Sequence, residues 1–241
     1  MNIFILYEDN DIIVIDKPPN VAVNRSNNEK GFTIQDWAEK KLNLSRSDGE
    51  TIFNNFFNRG GIIHRLDKFT SGILLIAKNC KSFEFFQSQF AKRLVVKKYQ
   101  TLVHDKVIPK EGIINVPVGR LPWNRRKFGV LPNGNPAKTS YSVISYYSNQ
   151  KTIYSFLEVI PHSGRTHQIR IHLKHIGHPI VSDNLYAGRN FFISDKRFSP
   201  RLFLHACYIK IRKIMPPNEY YEITSPLYPD LAGVLKQLNP F

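Results

Sequence analysis

The chain has 241 residues, with 34 Lys+Arg against 19 Asp+Glu and a formal net charge of +15. Hydrophobic residues make up 42% and aromatics 12%, enough for a sizeable core, which excludes a disordered tail, a collagen-like chain and a disulfide mini-protein. No apolar run approaches the ~20 residues that span a bilayer, the start Met1–Tyr7 lacks a signal-peptide pattern, and the two cysteines, Cys80 and Cys207, read as thiols of a reducing compartment. The expected setting is the cytoplasm, with no membrane contact, and the positive charge points to a polyanionic partner, most simply nucleic acid.

Taken in chain order, residues 3–7 and 12–15 are apolar, β-branched runs separated by Glu8-Asp9-Asn10-Asp11, and predict two strands around a turn. Lys17-Pro18-Pro19-Asn20 ends the second, because proline cannot donate to a ladder. Residues 24–31 are polar and loop-like. Thr33 is placed to cap a helix over 34–42 whose Ile34, Trp37, Ala38 and Leu42 share one face. Residues 43–60 read as irregular, 73–77 as a buried strand, 81–94 as a helix with Phe83, Phe86, Phe90 and Leu94 at helical spacing, and 95–103 as a strand. Residues 117–138 predict a long basic loop. Residues 141–147 and 152–160 predict a strand pair. A helix over 166–176 stops at Gly177 and Pro179. Strands over 202–214 and 220–224 and a short helix near 229–238 complete the chain. Strands outnumber helices, so the expected fold class is α+β: one domain over 1–241 on a large, mostly antiparallel mixed sheet flanked by helices and loops.

Three segments carry candidate chemistry. His64-Arg65-Leu66-Asp67-Lys68-Phe69-Thr70-Ser71-Gly72 is a polar stretch inside apolar sequence, and a loop flanked by strands holds reactive side chains on a rigid scaffold. Asp67 between cations tends to stay ionised, which suits a nucleophile or base. The same residues also read as a plain turn in which Asp67 accepts amide bonds from Thr70 or Ser71. On the helix after Gly164, Ile169, Leu173 and Ile176 share an apolar face, and His167, Arg170 and Lys174 a polar one. Five histidines between 162 and 178 lack the cysteines, carboxylates and spacing of a zinc site, so capping, packing or RNA contact is the expectation and no metal is called for. In the basic loop, Trp123 and Phe128 interleave with Arg120, Arg125, Arg126 and Lys127, a mixture that fits phosphate contact and base stacking as well as a solvated loop. No glycine-rich phosphate loop appears, so no nucleotide cofactor is expected.

These segments, in this order, resemble the RluA-type family of RNA pseudouridine synthases. The opening Tyr7-Glu8-Asp9-Asn10-Asp11-Ile12-Ile13-Val14-Ile15-Asp16-Lys17-Pro18, the 64–72 segment, Lys98-Tyr99, Gly164-Arg165-Thr166-His167-Gln168-Ile169-Arg170-Ile171-His172, Gly177-His178-Pro179-Ile180, Asp183-Asn184-Leu185-Tyr186 and Leu204-His205-Ala206 match the family's motifs across nearly the whole chain. Asn24, Ser182 and Ala187 depart from the usual pattern, and the accessory N-terminal RNA-binding domain of many relatives is not expected here.

The resemblance implies a pseudouridine synthase that isomerises uridine in structured RNA by flipping the nucleotide out of its stack, without cofactor or metal. It implies Asp67 as the catalytic carboxylate, Arg170 as the arginine paired with it, and Tyr99 as the catalytic ring packed on the uracil, its hydroxyl offered in the later proton transfer. Arg65 fills the gap left by the flipped base, Ile169 walls the pocket, and His64, Arg165 and His167 join the RNA-contact set. Large-subunit ribosomal RNA is the expected partner, transfer RNA the alternative, and a monomer the expected state. Two rivals remain: a non-catalytic RNA-binding, ribosome-associated protein, and a base-removing glycosidase or nuclease, although glycoside hydrolysis normally needs two carboxylates and the motifs hold one.

Overall fold

In the computed structural model, which describes residues 3–26, 29, 31–44, 55–125, 127–150 and 152–241, the expected opening hairpin forms from β1 (Phe4–Glu8) and β2 (Ile12–Lys17). The Asp9 carboxylate makes the turn by accepting the amides of Asp11 (2.8 Å) and Ile12 (3.0 Å), the short-range bonding that suits aspartate to turns. After α1 (Ile34–Lys41) and the single turn α2 (Asn55–Asn58), β3 (Ser71–Ala77) pairs antiparallel with β2, from Ile12 opposite Ala77 to Lys17 opposite Gly72. Every residue of β3 is buried, which explains its continuous apolar run. Thr33 caps α1 in a capping box with Asp36. Asn79 and Ser82 do the same for α3 (Cys80–Ala91). That helix stops three residues short of the expected end, because Arg93 takes a left-handed φ of 58° and leaves Leu94 exposed.

The chain forms two compact units. The first comprises residues 1–96 and 208–225. Its core gathers Ile12, Val14, Phe56, Ile73, Leu75, Phe83, Phe86, Ile209, Ile211 and Tyr221. The stretch 59–63 runs along β3: the Ala77 amide donates to the Gly61 carbonyl (2.8 Å), and a Cβ at Gly61, whose φ is +73°, would collide with the Ala77 carbonyl.

The second unit comprises residues 97–207 and 226–241. β4 (Val96–His104) pairs with β9 (Thr152–Pro161), β9 with β8 (Lys138–Asn149), and β5 (Glu111–Asn115) with β8, all antiparallel. The expected basic loop over 117–138 is corrected here: it contains a separate hairpin of β6 (Val118–Arg120) and β7 (Phe128–Val130). Gly119 faces Gly129 across it, and three-residue strands with glycine at their centre leave no alternating apolar signal to read. α4 (Gln168–His175), α5 (Arg189–Asp195), β10 (Leu204–Arg212), β11 (Tyr220–Thr224), α6 (Pro229–Lys236) and β12 (Asn239–Pro240) follow. β12 joins β8. β10 begins in the second unit and continues into the first, where Tyr208–Arg212 pairs with β11. Leu102, Leu157, Val159, Leu173, Phe203, Leu231 and Val234 build the second core. The fold is thus mixed α and β with mostly antiparallel strand pairing, as expected, and among the described residues no helix is long and apolar enough to cross a membrane.

Candidate active site

The 64–72 segment lies in the first unit, immediately before β3. A tight turn forms at Asp67, but the Thr70 amide donates to the main-chain oxygen of Asp67 (3.1 Å). The loop is tied from below by Lys17. Its side chain is fully buried, and Nζ donates to the carbonyls of Pro18 (2.7 Å), Val21 (3.0 Å) and Lys68 (3.2 Å). A buried ammonium is tolerated only where such acceptors replace its water. His64 anchors the other end: its Nε2 accepts the Leu75 amide (3.2 Å), so that nitrogen is unprotonated, and its ring stacks on Phe90 at 4.7 Å. Asp67 is half-buried, while Arg65 and Lys68 are exposed and Lys68 pairs with Glu29 at 2.8 Å. Burial, and then the neighbouring charge of Arg65, push the Arg59 guanidinium below its ordinary range, as like charges and lost solvent do to any cation.

The remaining candidates lie in the second unit. The helix expected from residue 166 starts at Gln168, because His167 takes a left-handed φ of 56°. The Gln168 side chain fixes this entry. Its Oε1 accepts Ser163 Oγ (2.8 Å) and the Arg165 amide (3.0 Å), while Nε2 donates to the Lys138 carbonyl (3.0 Å) and Thr139 Oγ1 (2.9 Å). Arg170 is 2% exposed. Its Nε and Nη2 donate to the two carboxylate oxygens of Asp183, at 2.8 and 2.7 Å, and its guanidinium lies 4.9 Å over the Tyr186 ring. The fork geometry of a bidentate pair satisfies both charges at once. Asp183 Oδ1 also accepts the amides of Leu185 and Tyr186. Ile169 is 7% exposed and belongs to the apolar core. Tyr99 packs against the same core, opposite Val159.

Tyr186 connects α4 to the hairpin. Its hydroxyl meets His167 Nδ1 at 2.8 Å and the Phe128 amide at 3.3 Å. Phe128 in turn carries the Arg120 guanidinium 4.9 Å over its ring. Arg120 Nη1 donates to the Arg125 carbonyl (2.7 Å), and Trp123 at the turn is 76% exposed. Arg120 and Arg125 are exposed and Lys127 half-buried, while Arg126 lies outside the described residues. Within the second unit the structure therefore brings His167, Arg170 and, through Phe128, Arg120 to Tyr186, and within the first it places His64, Arg65 and Asp67 on one loop.

Of the histidines between 162 and 178, His172 is buried. Its Nδ1 lies 2.9 Å from Thr139 Oγ1 and its Nε2 3.1 Å from the Val116 carbonyl; burial holds its pKa below the usual value. Sequence reasoning did not single out Lys17, Asp183 and Tyr186 as site residues. Asp183 carries a signal: it is an acid in a stretch, 159–207, that holds only two.

A family model described as RNA pseudouridylate synthase matches residues 11–175. The chain belongs to that family. It is 41% identical over 182 residues to an uncharacterized RNA pseudouridine synthase of Chloroflexus aurantiacus, covering 75% of this chain and 54% of that protein. It is 36% identical over 237 residues to the ribosomal large subunit pseudouridine synthase D of Nitrosomonas europaea, covering 98% and 65%. The chain thus spans between about half and two thirds of these relatives' lengths. Among solved structures, the human RNA pseudouridylate synthase domain containing 1 superposes with a TM-score of 0.75 at 26% identity, covering all of this chain and 89% of the other.

Proposed function

We propose that the protein isomerises uridine to pseudouridine in large-subunit ribosomal RNA, acting as a monomer in the cytoplasm with 1–241 as one catalytic domain. The observation that carries this reading is the 64–72 loop: a half-buried carboxylate, flanked by Arg65 and Lys68, on a turn anchored by a buried lysine. A site that only gripped RNA gains nothing from a carboxylate among phosphates, whereas a reaction at the sugar needs one. The name of the Nitrosomonas relative favours ribosomal over transfer RNA.

In the reaction the bond from C1′ to N1 breaks, the uracil turns, C5 bonds to C1′, the C5 proton leaves and N1 gains one. Atoms are conserved and no redox change occurs. Asp67 attacks the ribose or removes a proton from it. Arg170, carried by α4 and fixed by Asp183, pairs with Asp67 and orients it. Tyr99 packs on the uracil, and Ile169 walls the base pocket. Arg65 occupies the space of the flipped nucleotide. His64, Arg165, His167, Arg120, Arg125, Arg126 and Lys127 position the RNA strand.

Tritium release from RNA labelled at uridine C5 tests the reading. Wild type releases tritium and Asp67→Asn does not; equal release from both overturns it. Mapping pseudouridines in cells with and without the gene then separates ribosomal from transfer RNA.

A further inference from the structure

Between residues 159 and 207 the chain has two acids, Asp183 and Asp195, and both are buried. Asp183 is bound by Arg170. Asp195 Oδ2 accepts the Ser182 amide (2.7 Å) and lies 3.1 Å from His104 Nε2. The charge this stretch shows to solvent is therefore positive only, and much of it sits on α5 and the residues just after it: Arg189, Lys196 and Arg197, all exposed.

The anchoring of α5 decides which way these cations point. Phe191 and Asp195, four residues apart, share one face. Phe191 stacks on the His104 ring at 4.0 Å, and Asp195 meets the same histidine. At 100° per residue, the opposite face is centred on Ile193, which is 51% exposed, with Arg189 and Lys196 on one side of it and Asn190 on the other. From Arg189 to Lys196 this face runs about 10 Å along the axis. Lys196 also rests 4.7 Å over the Phe192 ring, which covers that aromatic flank. The helix is thus held by its inner side and offers solvent a short, cationic, acid-free strip.

We infer that this strip, Arg189, Lys196 and Arg197, is a docking surface for the RNA substrate's phosphate backbone. The inference rests on the RNA reading above. An anionic membrane is the less fitting partner, because a membrane helix must insert an apolar face, and the solvent side of this seven-residue helix sets Ile193 among Arg189, Asn190 and Lys196.

The test measures RNA affinity against salt for wild type, Arg189→Ala, the triple variant R189A/K196A/R197A and Asp67→Asn. Each lost phosphate contact lowers the log–log salt slope by about 0.7–0.9. The triple variant is expected to lose about two to three from the slope and at least about tenfold in affinity at low salt, with turnover at saturating RNA kept. Arg189→Ala alone loses just under one, and carries the test if the triple variant folds poorly. An unchanged slope in both variants overturns the inference. So does binding to phosphatidylserine vesicles that depends on these residues while RNA affinity does not. Asp67→Asn keeps the wild-type slope. A wild type that binds RNA through this strip yet makes no pseudouridine would refute the enzymatic reading and leave the inference standing.

Discussion

Lys17→Met isolates the anchor beneath the Asp67 loop. The substitution keeps most of the buried stem and deletes three charge-assisted bonds, to Pro18, Val21 and Lys68. At about 1.5–3 kcal/mol each, those bonds amount to roughly 5–9 kcal/mol. Removing the ammonium also removes its desolvation penalty of several kcal/mol, so the net loss is about 2–4 kcal/mol. For a chain of this size that lowers Tm by about 5–15 °C. The carbonyl left behind at Lys68 sits next to Asp67, so the loop loses its fixed height above β2. A displacement near 1 Å costs on the order of 100-fold in rate. Thermal unfolding followed by circular dichroism gives the first number, and single-turnover tritium release at a temperature where the variant stays folded gives the second. A Tm within 1 °C of wild type, or a full rate in a folded variant, refutes the anchoring role.

Three further outcomes are expected. Asp183→Asn replaces the bidentate carboxylate on the buried Arg170 guanidinium with a neutral amide and costs about 3–5 kcal/mol; urea unfolding checks this, and a loss under 1 kcal/mol contradicts it. His172 is held below its ordinary pKa of 6.5 by burial, so the unfolded chain takes up a proton below pH 6.5 that the folded chain refuses. Stability then falls as pH drops from 7 towards 5, and His172→Asn, measured in the same titration, flattens that slope. Burial pushes the Cys207 thiol up to about 11. Its thiolate fraction at pH 8 is about 100-fold below that of an unperturbed thiol, and iodoacetamide should label it at least that much more slowly in the native than in the urea-unfolded chain.

Local signals were legible wherever one residue type dictated the backbone. Thr33 announced its helix cap, the apolar run before Ala77 its buried strand, and residues 220–224 their strand without error. The Asp67 loop was legible because polar residues interrupted an apolar stretch. What escaped lacked periodicity. The 118–130 hairpin pairs glycine with glycine. α5 buries only Asp195 fully and lays Phe191 on a histidine, so it shows no apolar stripe. Asp183 serves Arg170 from 13 residues away, and Lys17 serves Lys68 from 51 residues away. Long-range polar satisfaction leaves no pattern in a sequence window.

The first unit is discontinuous, and this bears on how it comes to exist. Its chain departs at Val96 and returns only at Tyr208. There Gln89 of α3 clasps the main chain of Arg212, donating to its carbonyl and accepting its amide, both at 3.0 Å. At about 5–20 residues per second of synthesis, the helix and strands around Asp67 wait on the order of ten seconds or more for that last pair of strands. During biogenesis the half-built unit exposes Phe86 and the apolar flank of β3, an invitation to chaperones that the second unit, finished mostly from contiguous chain, does not extend for as long.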